Sequence, residues 1–491
     1  MSISDKGLGP CLLPVEWYIK QYQHQAEIGG HVLLEISEQA CLNIMLNNIK
    51  TFRSSLNVTE RTFLSPYFVK CNPNFRVGCL KLVPKIHKIK GTVNLETWKV
   101  LPSRPIRGAE NCPINGYSIA LCKLLQEMHK TLKELYTNGT FGVHCKYPVI
   151  MGCEEYADKI SQLKYPKQKW GDICIISGDF SDAYTKSRLS DLDQSIKKLG
   201  KIVQWDSSKI TLSQKLASLV FGNCYFTTPS GVMRQTSGFP MGGHSSREGL
   251  DNILLSKEID ICTNLDNSLL SYLRLVDDIS ILTTGGFSRV REIVDKMSRF
   301  YPTSMPLNIQ ISFAFSRYLD VRLSKELQLC NENKITITLA YKELATFNMV
   351  PFSSNIAPNY KACIVQNFLH RIYGRCTSNT SRSHHTSFML RILNHRDQDM
   401  QIVMKKFRDF NTKRLCNTFR PRNKTPFARS AFIHYDCASN SHKLVSFAIL
   451  SAYRAAKKKQ PSILYRSLPK IISMLTTKRA VIKKVRLCML K

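Results

Sequence analysis

Two short apolar runs flank a pair of adjacent carboxylates in Leu273-Arg274-Leu275-Val276-Asp277-Asp278-Ile279-Ser280-Ile281-Leu282. Each run has the length of a strand, which puts the acidic pair at the tip of a tight hairpin. Adjacent carboxylates on a buried hairpin repel one another and lose hydration, a cost that a cation would relieve. Taken alone, the pair reads more simply as an ordinary Asp-rich turn. A third carboxylate delivered by another strand would separate the two readings.

The stretch from Gly171 to Thr185 supplies one. Its apolar, β-branched run ends on Asp179, and a polar segment able to begin a helix follows. Asp179 is therefore the natural partner of Asp277 and Asp278. Asp182, three residues on, fits an exposed or helix-initiating position better than a ligand. Between the strand and the hairpin stands Gln235-Thr236-Ser237-Gly238-Phe239-Pro240-Met241-Gly242-Gly243. Its glycines and prolines describe a flexible loop that leads into a helix over 245–261 and lets backbone approach a flat ligand. A simple turn is the competing reading of that loop.

Upstream, Leu82 to Lys90 and Leu101 to Arg107 are short apolar segments bracketed by prolines, which suits edge strands or a hairpin better than helix. Lys85, Lys88 and Arg104 on such a hairpin could grip a triphosphate, Arg by bidentate contact and Lys as a point charge. The competing reading is a solvated basic hairpin. Helical spacing of apolar residues marks 31–51, 113–137 and 287–301, and 334–341 reads as a strand. From about 345 the chain is helical and basic.

The length of 491 residues allows two or three domains with substantial cores, and 43% hydrophobic with 9% aromatic residues is a globular composition. The net charge of +34 calls for a polyanionic partner, most simply nucleic acid. Residues 401–491 hold 22 Lys and Arg against only Asp409 and Asp436, an imbalance that disfavours compaction without a polyanion. Lys457-Lys458-Lys459 also fits a nuclear import signal. No apolar run reaches the length of a membrane span, and Asp5, Glu16 and Glu27 argue against a transit peptide. The 17 cysteines include no Cys-x-x-Cys and read as reduced thiols of an intracellular protein; Cys363, Cys376, His384 and His385 fit no standard zinc module.

The order strand-Asp179, then Gln-x-x-Gly-x-Pro-Met-Gly, then Val-Asp-Asp resembles the palm motifs of reverse transcriptases. More narrowly, the chain resembles the Penelope-like retroelement reverse transcriptases. The resemblance is carried by Leu82–Lys88, Ser103–Ile106, Asp179–Thr185, Gly238–Gly242, Val276–Ile279, Tyr318–Val321 and Phe347–Tyr360, with Ile463–Arg479 matching a segment after the thumb. It spans roughly 75 to 480, and the palm motifs are its specific part. Two departures stand out. Gly243-His244-Ser245-Ser246-Arg247-Glu248 replaces a Ser-Pro segment and places charge near the template strand, and no GIY-YIG endonuclease motif occurs, as in the endonuclease-deficient members.

The resemblance implies an α+β right-hand polymerase with an antiparallel palm sheet and a helical, basic thumb and connector. The expected divisions are a mostly helical N-terminal extension over 1–74, fingers and palm over 75–325, thumb over 326–425 and connector over 426–491. It further implies RNA-directed DNA polymerase activity. Asp179 and Asp277, supported by Asp278, would hold two Mg²⁺ ions, for which Mn²⁺ could substitute. Tyr184 would exclude the ribose 2′-hydroxyl, and Lys85 and Arg104 would hold the dNTP triphosphate. Gln235, Gly238 and Pro240 would line the nucleotide and template pocket, and Tyr318 and Leu319 would belong to the primer grip. RNA template, DNA primer and dNTPs are the implied partners, with no membrane and a nuclear location. The competing readings are a catalytically inactive RNA-binding homologue and a polymerase of another kind.

Overall fold

The structure, a computed structural model, describes residues 2–3, 10–11, 13–27, 30–68, 74–85, 101–108, 111–142, 146–163, 173–263, 269–301, 305–326, 334–341, 358–415, 429–431 and 487–489. Lys88, most of Phe347–Tyr360, Lys457–Lys459 and Ile463–Arg479 lie outside them. The chain divides into two compact units, Met1–Thr346 and Phe347–Lys491. The architecture is α+β, as expected, with sheets that are mostly antiparallel.

The first unit opens with two-residue strands β1 (Ser2–Ile3) and β2 (Pro10–Cys11), helix α1 (Val15–Glu27) and strand β3 (His31–Leu34). The sequence spacing predicted one helix over 31–51. Instead, β3 ends at Leu34 and helix α2 (Glu38–Ser54) begins only after Ser37, whose hydroxyl accepts the Ala40 N–H at 3.1 Å. A serine cap stops helix from propagating backwards, and the apolar residues before it pair with another strand.

After helix α3 (Val58–Leu64) come β4 (Gly78–Pro84) and β5 (Ser103–Gly108), the proline-bracketed hairpin, paired antiparallel with Val83 opposite Arg104. Helix α4 (Asn115–Thr137) covers the predicted 113–137 helix and buries Leu121, Leu124, Leu125 and Met128. Helix α5 (Cys153–Ser161) precedes β6 (Cys174–Phe180), and α6 (Ala183–Lys186), α7 (Leu189–Ile202) and α8 (Ser207–Gly222) lead to β7 (Tyr225–Thr228) and β8 (Gly231–Gln235). A five-stranded sheet has the order β3-β8-β7-β4-β5, in which only β4 and β7 run parallel. The first 74 residues thus contribute a strand to a sheet built mostly from later ones.

Helix α9 (Ser246–Thr263), strands β9 (Leu269–Leu275) and β10 (Asp278–Thr283), helix α10 (Gly286–Phe300) and strand β11 (Leu307–Ser312) complete a four-stranded antiparallel sheet of order β11-β6-β10-β9. Because strand side chains alternate, this sheet feeds two cores. Ile176, Ile279 and Ile281 join the large helical core, while Ile175, Leu273 and Leu282 join a smaller one with Tyr156, Val321 and Ile337. Burial on both faces explains why β6 and β10 read as unbroken apolar runs. The smaller core is capped by a three-stranded sheet of β12 (Phe315–Tyr318), β13 (Val321–Glu326) and β14 (Lys334–Leu339).

In the second unit α11 (Pro358–Arg375), α12 (Asn379–His395) and α13 (Met400–Leu415) pack around Leu369, Ile372, Met389, Leu393 and Val403. Among the described residues no helix is long and apolar enough to cross a membrane.

Candidate active site

Strand pairing brings the three carboxylates together. Asp278 is directly opposite Asp179 in the β6–β10 ladder, so both side chains leave the same face at neighbouring positions. The hairpin loop between β9 and β10 consists of Val276 and Asp277, and the Phe180 N–H donates to the Asp277 carbonyl at 3.2 Å. Asp277 therefore sits at the tip, and Asp278 is the first residue of its strand. Asp179 is exposed, whereas Asp277 and Asp278 are half-buried. Burial pushes the Asp277 carboxyl above the usual carboxylate range; its own backbone N–H opposes that, the Asp179 charge adds to it, and the Arg104 and Arg274 guanidinium groups counter it.

The hairpin tip is strained. Val276 has φ +60°, a left-handed conformation that a β-branched residue rarely adopts. Its carbonyl accepts a hydrogen bond from Arg274 Nη1 at 2.6 Å. Arg274 is wholly buried; it also donates to Asp251 Oδ1 at 2.5 Å, to Glu258 Oε2 at 3.1 Å and, through Nε, to Glu258 Oε1. Tyr272 and Tyr301, joined to each other through their hydroxyls, add contacts to Glu258 of 3.3 and 3.4 Å. Sequence reasoning passed over all of these residues. Signals were present: an arginine inside an apolar strand, and Asp251 and Glu258 seven residues apart on one helix face.

The Gly-Phe-Pro-Met-Gly loop, expected to be flexible, is clamped. Gly238 has φ +77°, and a Cβ there would lie 2.5 Å from the Thr185 carbonyl oxygen and 2.7 Å from that of Tyr184. The Phe239 N–H donates to the Tyr184 carbonyl at 2.6 Å, and the Arg107 N–H donates to the Met241 carbonyl at 2.7 Å. Phe239 itself is buried, stacked on Phe221 at 4.2 Å. Glycine here serves close backbone approach rather than freedom. Gln235 is also buried; its side-chain amide donates to the Ser237 carbonyl at 3.0 Å, and with Pro240 it lines a narrow cavity behind the loop.

Tyr184 is half-buried on α6, its hydroxyl pKa raised by burial and by the Asp251 and Asp277 charges. Lys85 and Arg104 line a cleft of about 690 Å³, shared with Asp182 and Lys186 at the two ends of α6 and with Lys20, His24 and Glu27 from α1. Arg104 links the cleft to the carboxylates, since its charge also acts on Asp277. Lys20 and Lys186 were not singled out in the sequence. Their place here depends on α1 and α6 meeting the β4–β5 hairpin, which no local pattern encodes. Asp182 occupies the N-cap position of α6 with φ +55° and no capping hydrogen bond from its side chain.

Tyr318 and Leu319 divide. Tyr318 is buried, its ring 4.5 Å from that of Tyr156, and its hydroxyl donates to the Asp278 carbonyl at 3.0 Å. Leu319, with φ +55°, occupies the turn between β12 and β13. The charges expected near the template strand fold back onto helices: Glu248 accepts from Gln126 at 2.7 Å, and Arg247 lies 3.6 Å from Asp251. Among the described residues, no three His, Cys, Asp or Glu side chains are grouped closely enough to hold a metal ion by themselves.

No protein-family model matches the chain, and no curated protein does. Among solved structures it is similar to telomerase from Candida albicans in complex with a TWJ fragment of telomeric RNA, at 12% identity over 85% of this chain and 70% of that one, with a TM-score of 0.45. It is similar also to the RNA-dependent RNA polymerase of a human picorbirnavirus, at 9% identity over 77% of this chain and 74% of that one, with a TM-score of 0.45. For the C-terminally truncated apo telomerase from Candida tropicalis the identity is 14%, covering 56% of this chain, and the TM-score is 0.36. Of the two apo Candida tropicalis telomerase structures the chain covers 58% and 62%, less than two thirds of each. At these values the likenesses carry no information on reaction or substrate.

Proposed function

We propose that this chain is an RNA-directed DNA polymerase of the Penelope-like retroelement kind, extending a primer 3′-hydroxyl with dNTPs. The observation that supports this most is the juxtaposition of Asp179, Asp277 and Asp278 at one end of an antiparallel sheet, tied through Arg104 to a basic cleft large enough for a nucleoside triphosphate.

The donor set is all hard carboxylate oxygen, which suits Mg²⁺. Asp179 and Asp277 would hold two such ions, with Asp278 in support and Mn²⁺ a substitute. When bound, they lower the pKa of the attacking hydroxyl and neutralise charge on the leaving pyrophosphate.

The chain's own residues do the remaining work. Arg104, Lys85, Lys186 and Lys20 would offer the triphosphate four positive charges, against the Glu27 and Asp182 carboxylates of the same cleft. Tyr184, whose backbone is held by the Gly238 loop, would stand beneath the incoming sugar and exclude a 2′-hydroxyl. Leu319 and its turn would face the primer, while Tyr318 steadies Asp278 from beneath. The basic C-terminal residues would follow the phosphates of an RNA–DNA hybrid. A polyanionic template and primer held by a chain with a Lys457–Lys459 run fit a nuclear setting.

Primer extension on poly(rA)/oligo(dT) with Mg²⁺ tests the reading. Incorporation of dTTP but not UTP, lost in Asp277→Ala, is the expected result. Hybrid binding with no extension by the wild type would instead identify an inactive RNA-binding homologue.

A further inference from the structure

We propose that Arg274 is the positioning residue of the carboxylate hairpin, holding Asp277 and Asp278 in register from behind the sheet. This rests on the polymerase reading for its kinetic consequence, though not for its structural one.

Arg274 has no exposed surface, and a buried guanidinium is not an efficient source of stability. Its desolvation roughly cancels its ion pairs, and apolar replacements of such groups are often neutral. Its geometry points to another role. One nitrogen, Nη1, is shared between Asp251 Oδ1 at 2.5 Å on α9 and the Val276 carbonyl at 2.6 Å at the hairpin tip. The rest of the guanidinium is taken by Glu258, two turns further along the same face of α9. The Arg274 backbone is fixed as well, its N–H donating to the Pro148 carbonyl at 2.8 Å and its carbonyl accepting the Ile150 N–H at 2.9 Å.

Val276 is the only residue between β9 and Asp277, and it carries the left-handed φ of +60°. A strained residue persists where its surroundings over-determine it. Arg274 supplies that determination by holding the Val276 carbonyl, and so fixes the direction in which the next two carboxylates leave the chain. Helix α9 is the reference frame: it is buried, and its first turn follows the clamped Gly238–Gly243 loop. Loop, helix and hairpin are thereby referred to one rigid element.

The test uses the full chain carrying Arg274→Met, Asp251→Asn and Glu258→Gln together, which removes the buried charges as a set and avoids stranding two carboxylates. Arg274→Lys is the companion variant, since it keeps the charge but loses the fork that reaches Val276 and Glu258 at once. Hydrogen exchange at residues 275–279 is expected to quicken by about tenfold or more in both, with the exchange of α4 unchanged. For dTTP addition, kcat is expected to fall by about a hundredfold with KM within about twofold, and the Mg²⁺ concentration for half-maximal rate to rise. Unchanged exchange at 275–279, or an unchanged kcat in either folded variant, would overturn the proposal. If the wild type fails to extend the primer, the polymerase reading falls, while the exchange measurement still decides whether Arg274 positions the hairpin.

Discussion

Asp277 carries two demands that conflict. The proposed reaction needs its carboxylate ionised, while burial and then the neighbouring Asp179 hold its pKa above the ordinary range in the folded chain. The folded protein thus binds this proton more tightly than the unfolded chain does. Ionisation of Asp277 accordingly opposes folding at pH above its unfolded value, with the full cost reached once pH exceeds the folded value. At neutral pH Asp277→Asn is expected to raise the melting temperature of the metal-free protein, with the gain fading as pH falls through the raised folded value and gone once pH reaches the ordinary carboxylate range. Primer extension by the same variant should drop by at least about a hundredfold, the loss usual for an essential transition-state charge stabiliser. Tyr184 gives a separate expectation. Tyr184→Ala should increase UTP incorporation relative to dTTP by about tenfold or more, measured in parallel single-nucleotide reactions, if the ring is the group that excludes a 2′-hydroxyl as proposed.

The Gly238 loop and α6 behave as one element. Two carbonyl oxygens lie within 2.7 Å of where a Gly238 Cβ would be, so Gly238→Ala must push the loop away from Tyr184. Such a change should cost roughly 1–3 kcal/mol in denaturant unfolding and raise KM for dTTP more than it lowers kcat. The contrast between what could and could not be read in the sequence lies at this level. Asp179, Asp277 and Asp278 were legible because each ends or begins an apolar run, and period-two burial leaves a plain trace. The β4–β5 hairpin was legible from its prolines. Strand β3 was not, because four residues preceding a capped helix carry no period long enough to distinguish strand from helix. The Arg274–Asp251–Glu258 network was not legible either: its partners are 16 to 23 residues apart and belong to a helix and a strand. Helix α9 is buried on more than one face, so it lacks the amphipathic stripe that would have marked which side carries the charges.

Across the whole molecule, a +34 charge should make binding to an RNA–DNA hybrid steeply salt-dependent. If 6–10 phosphates are neutralised, affinity is expected to fall by about 10³–10⁵ between about 50 and 200 mM salt, measurable by fluorescence anisotropy. Chelation of divalent cations should abolish extension and leave that binding in place. The pairing of His31 with Gln235, in the five-stranded sheet, bears on how this protein could ever be divided. A chain trimmed to begin at residue 75 would expose the edge of β8 to solvent and remove Lys20 and His24 from the wall of the cleft. An unpaired strand edge of this kind invites association with other copies. Residues 15–34 are therefore part of both the sheet and the cleft wall, and removing them is expected to lower solubility and, on the proposed reading, nucleotide affinity together.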